Sequence, residues 1–73
     1  MDQSEFFKFC CTLTYDQLQD TLELLQSERS LTSAFLDVEH VNTYHENILV
    51  DAIHKISQQI EIVQYHMAML ELA

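Results

Sequence analysis

The chain has no glycine and no proline, and only three basic residues among its 73. Without glycine, no residue sits easily in the left-handed backbone region that two-residue hairpin turns and phosphate-cradling loops demand. The double absence argues against tightly turned sheets, so the chain is expected to be all-α. Lys8, Arg29 and Lys55 stand against 12 acids, for a net charge of −9. No surface built from three cations neutralises a run of phosphates, which excludes nucleic acid and anionic membrane as partners held by charge.

Cysteine is almost as scarce. Cys10 and Cys11 are the two present and are neighbours; a bridge between adjacent residues is strained, so free thiols in a reducing compartment are expected. The opening stretch lacks a positively charged start, and Lys8 interrupts its apolar residues, so it reads as neither a signal peptide nor a membrane span. The expected location is the cytoplasm.

What the chain does have is one long amphipathic pattern, from Thr43 to Leu72. Leu49, Ile53, Ile56, Ile60, Val63, Met67 and Leu70 recur at alternating intervals of four and three residues, the rhythm that keeps one apolar seam against a neighbouring helix. Thr43 followed by Glu46 forms a capping box, which places the first turn at Tyr44. A helix of that length is a rod of roughly 40 Å, too long to be buried alone in so short a chain. Ile48, Ile62 and Met69 form a second stripe about 100° around the helix, with Ala52 between the two. This second stripe reads either as a wide core face or as a docking face.

Upstream, Thr14 and Gln17 form another capping box, followed by Tyr15, Leu18, Leu22 and Leu25 at helical spacing. Beyond Glu28 the stripe shifts phase to Leu31, Phe35 and Val38. The run Ser27, Ser30, Thr32 and Ser33 lowers helix propensity there, so between Ser27 and Leu36 the helix continues, bends or frays. Residues 37–42 are polar, with Asn42 the available left-handed cap, and form the connection. At the start, Asp2 with Glu5, or Ser4 alone, caps a short helix carrying Phe6, Phe7, Phe9, Cys10 and Leu13. That arm folds over one end of the core, docks on a partner, or frays.

The expected architecture is therefore one domain: an apolar arm (1–13), helix one (14–36), a connection (37–42) and helix two (43–72), the two long helices forming an antiparallel hairpin. So small a core is marginal by itself, which points to a partner subunit or to self-association, including a homodimeric four-helix bundle. The residues expected to bind a partner are Ile48, Ala52, Ile62, Met69, Phe6 and Phe7.

Catalysis is not expected. His40, His45, His54 and His66 show no pair at the spacing that puts two on one helical face, so no metal site is expected, and no nucleophile stands beside a base in the sequence. No cofactor is implied. The net charge suggests an alternative, an acidic inhibitor that imitates nucleic acid, although the acids alternate with apolar positions instead of forming a dense run.

Two family resemblances bear on function. Ser57-Gln58-Gln59-Ile60-Glu61 resembles the Ser-Gln-Glu-Leu-Asp signature of small sporulation-type aspartyl-phosphate phosphatases, departing from it at Glu61 and lacking their turn glycine. A broader resemblance spans residues 15–70. Tyr44, Asn47, Ile48-Leu49, Asp51-Ala52-Ile53, Ile60, Ile62-Val63, Tyr65 and His66, preceded by a helix and an acidic link from Asp37, resemble helix two of the small E-type co-chaperones of type III secretion (the YscE/PscE and SsaE/EscE proteins). The resemblance implies a two-helix hairpin in the bacterial cytoplasm that pairs with a tetratricopeptide-like G-type co-chaperone and helps keep the needle subunit monomeric. It does not cover the phenylalanine-rich arm.

Overall fold

The computed structural model describes residues 2–38 and 43–72, the side chains of 37–38 and 43–45 excepted. Three helices account for nearly all of them: α1 (Gln3–Cys10), α2 (Tyr15–Val38) and α3 (Thr43–Leu72). The molecule measures 47 × 20 × 15 Å. At 30 residues, α3 is about 45 Å long and sets the longest dimension. Among the described residues no helix is long and apolar enough to cross a membrane.

The helix starts follow the capping chemistry. Asp2 is the cap of α1, its Oδ1 accepting from the Glu5 amide at 2.8 Å. At α2 both halves of the capping box form: the Gln17 amide donates to Thr14 Oγ1 (3.2 Å) and the Thr14 amide to Gln17 Oε1 (3.0 Å). Two otherwise orphaned donors are thereby satisfied. The Thr43 side chain of the Thr43–Glu46 box and the Asn42 cap lie outside what the structure describes; α3 runs from Thr43 to Leu72, the bounds expected for helix two.

α2 runs unbroken to Val38. Thr21 and Thr32 turn their hydroxyls back onto the helix, donating at 2.8 Å to the carbonyls of Gln17 and Glu28. Between α1 and α2 the chain turns through residues 11–14 on short backbone bonds, Thr12 to Phe9 and Leu13 to Cys10. No described residue has a positive φ, which is how a chain without glycine makes this corner.

The core comprises Phe6, Cys10, Leu18, Leu25, Ile60 and Val63. α3 takes most of its contacts from α2 and a smaller set from α1. The α3 seam is deepest at Ile60 and Val63, where α1 adds Phe6 and Cys10 to the leucines of α2. Ile53, Ile56 and Met67 are half-buried, and Leu70 is 45% exposed. The arm thus supplies part of the burial that two helices alone would lack.

At the far end of the seam, the Tyr15 hydroxyl donates to Glu71 Oε1 at 2.8 Å. That bond, followed by desolvation and the negative charges of Glu71 and Asp16, holds the phenol above its ordinary value of 10.0. A group whose folded value is raised contributes stability that is present below the unfolded value and lost as pH rises through the folded one. Tyr15→Phe is expected to flatten the loss of stability on the alkaline side while changing neutral stability little. Urea titrations at neutral and alkaline pH check this; an unaltered alkaline loss in the variant would contradict it.

Candidate protein-docking surface

A protein with so much of its apolar surface left uncovered is best examined for what that surface can hold. On α2, Leu24, Leu31 and Phe35 are 62, 63 and 59% exposed. Intervals of seven and four place the three on one face of the helix, adjacent to the buried line through Leu18 and Leu25. On α3, Ile48 and Met69 are each about half exposed. Leu24, Leu31 and Phe35 were absent from the expected binding residues. For Leu31 and Phe35 the phase shift after Glu28 was the signal: in a helix that continues, a shifted stripe turns away from the seam.

The structure divides the residues that the sequence singled out. Ile48 and Met69 are open and Ala52 is partly covered. Ile62 is half-buried and packs on the core, under α1. Phe6, grouped with Phe7 as partner-binding, is instead a core side chain, only 7% exposed. It sits one helical turn from Cys10, so both project from the same side of α1 into the groove. Phe7, on the next face, remains 41% exposed.

Part of the second stripe is therefore occupied by the chain itself. Gln3 Nε2 donates to Gln58 Oε1 at 2.7 Å and makes a longer contact, 3.4 Å, with the Lys55 carbonyl. The Phe7 ring lies edge-on to His66 with centroids 4.5 Å apart, and 6.0 Å from Tyr65. Contacts that advance along α1 from Gln3 to Cys11 advance along α3 from Lys55 to His66. An open cleft of about 530 Å3 remains beside this seam, lined by Gln3, Phe7, Gln58, Glu61, Ile62 and Tyr65. Glu61 is its only acidic lining group, too little for paired acid–base work.

One arrangement corrects the sequence reading that no nucleophile stands beside a base. Cys11 Sγ lies 3.3 Å from His66 Nε2, across 55 residues of sequence. No spacing rule could have found it, since only the docking of α1 on α3 brings the pair together. Among the described residues no group of three or more histidines, cysteines or acids is placed to hold a metal ion.

The net charge is −9, with Lys8 and Lys55 exposed among the acids. Lys55 pairs with Asp51 at 3.2 Å, one turn apart and well exposed, a contact worth only a few tenths of a kcal/mol, roughly. No family model, curated protein or solved structure matches the chain.

Proposed function

We propose that this chain is a non-enzymatic protein-binding module whose two long helices form an antiparallel hairpin. Two observations support the hairpin. Tyr15, the first residue of α2, is bonded to Glu71, near the last of α3. The molecule, at 47 Å, is also barely longer than the roughly 45 Å of α3 alone. The observation that carries the binding reading is the exposed face of Leu24, Leu31 and Phe35, three large apolar side chains on a helix whose other face is already committed to the core.

Together with the resemblance to the E-type co-chaperones of type III secretion, this gives the specific proposal. The chain acts in the bacterial cytoplasm beside a tetratricopeptide-like G-type co-chaperone and helps hold the needle subunit, or another self-assembling export substrate, monomeric. A subunit that polymerises through amphipathic helices is kept apart when those faces are covered. Co-expression with the G-type co-chaperone and needle subunit of the same bacterium is expected to yield a stable complex. A chain that elutes alone, folded and unaccompanied, overturns the proposal.

A second reading is favoured by the −9 charge: an acidic mimic that fills a basic groove. It makes no use of the apolar α2 face, and the two readings part in their response to salt.

A further inference from the structure

The Cys11–His66 pair is not required by the docking reading and stands apart from it. A carbonyl oxygen only accepts, so the 2.9 Å contact between His66 Nδ1 and the Ile62 carbonyl fixes the proton of the neutral imidazole on Nδ1. Nε2 is then the lone-pair nitrogen, and it is Nε2 that faces the Cys11 sulfur at 3.3 Å. The ring is held in this pose by Phe7 on one side, edge-to-face at 4.5 Å, and by Tyr65 at 5.5 Å. Nucleophile, proton acceptor and an orienting group behind the acceptor are the three parts of an activated thiol.

The neighbouring thiol supplies an internal contrast. Cys10 is 1% exposed, in the core beside Leu18 and Val63, whereas Cys11 is open to solvent. Burial, then the adjacent Cys11, also pushes the Cys10 thiol up, which keeps it protonated. The Cys11 sulfur, in contrast, is in contact with a basic nitrogen, His66 Nε2. His66 is therefore the group able to take the proton.

We propose that Cys11 is a modification site that exchanges with low-molecular-weight disulfides, with His66 accepting its proton, and that the adduct unseats α1 from α3. The Cys11 sulfur attacks one sulfur of the reagent. Its proton passes to His66 Nε2, the reagent's S–S bond breaks as the new one forms, and the departing thiolate recovers the proton. Cys11 is oxidised, half of the reagent is reduced, and no further reactant is needed. The disulfide sulfur no longer carries a proton for Nε2, so the Cys11–His66 contact that ties the end of α1 to α3 is lost and that end loosens. Resolution by Cys10 is disfavoured, because a bridge between adjacent cysteines is strained.

The test uses the intact chain and 2-hydroxyethyl disulfide, a neutral probe that the −9 charge does not repel, with mass spectrometry assigning the modified cysteine. One adduct is expected, on Cys11, forming at least about 10-fold faster in the wild type than in His66→Gln. Cys10 in wild type is expected to resist iodoacetamide until Cys11 carries its adduct, and then to react. Should His66→Gln loosen the arm, its Cys10 would become reactive without any adduct. A second comparison then decides: wild-type Cys11 should react faster folded than in urea. An equal or slower folded rate, or a His66→Gln rate equal to wild type with Cys10 still protected, overturns the role of His66. Cys10 remaining protected in the Cys11 adduct overturns the unseating of α1.

Discussion

Val63→Asp is expected to leave no folded population at neutral pH. Val63 is completely buried where all three helices meet, with Phe6, Cys10 and Leu18 in the same cluster. Losing the valine forfeits about 1.5 to 3 kcal/mol of apolar burial. The new carboxylate has no cation in the core to pair with, so it stays neutral at a cost of roughly 4 kcal/mol at pH 7. A chain of this size has a total stability of roughly 4 to 11 kcal/mol, so the sum reaches much or all of it. Because the aspartate's folded value would lie above its unfolded one, the penalty shrinks as pH falls, and partial recovery of helix is expected on mild acidification. Leu72→Asp is the control: at 82% exposure it should change stability by no more than about 0.5 kcal/mol. Circular dichroism with urea titration reads both; a folded Val63→Asp chain at neutral pH would contradict the packing described above.

The second large effect is on binding, with the fold left intact. Leu31→Asp combined with Phe35→Asp alters two side chains that already lie in water, so the helical signal should remain close to wild type, the propensity cost being roughly 0.5 kcal/mol per site. At the centre of an interface, large apolar anchors are worth about 2 kcal/mol each or more, and a desolvated aspartate adds to the loss. The pair is expected to weaken the proposed co-chaperone complex by at least about 100-fold. Titration calorimetry on the folded variant measures this, and undiminished affinity would move the docking face elsewhere. Ile62→Asp is a poorer probe of the interface, since Ile62 lies under α1 and its substitution also disturbs the arm.

The long helices were legible because their signals are local. The Thr14–Gln17 box marks the start of α2, and the four-three spacing from Leu49 to Met67 picks out the seam of α3. Neither needs knowledge of the rest of the chain. The phase shift at Leu31 and Phe35 was equally visible, but spacing alone could not separate a bent helix from a straight one with an outward stripe. The helix runs unbroken to Val38, and Leu31 and Phe35 stand exposed, so the shifted stripe turns outward. Occupation of Ile62 by α1 was not legible. A heptad pattern reports the width of an apolar arc, whereas what covers it depends on packing between residues more than fifty positions apart, as for Gln3 with Gln58 and Cys11 with His66. Phe6 and Phe7 illustrate the same limit, since adjacent identical side chains on a short helix point to different faces, one into the core and one to the surface.

The central claim, an apolar helical docking face on an acidic protein, is tested most directly by the salt dependence of the proposed complex with a G-type co-chaperone. The affinity is to be measured by calorimetry from low to high ionic strength and at two temperatures. Docking through Leu24, Leu31 and Phe35 predicts an affinity that changes little with salt and a negative heat-capacity change on binding. An affinity that falls steeply as salt screens the −9 charge, with no heat-capacity signature of apolar burial, would contradict the claim and favour the acidic mimic.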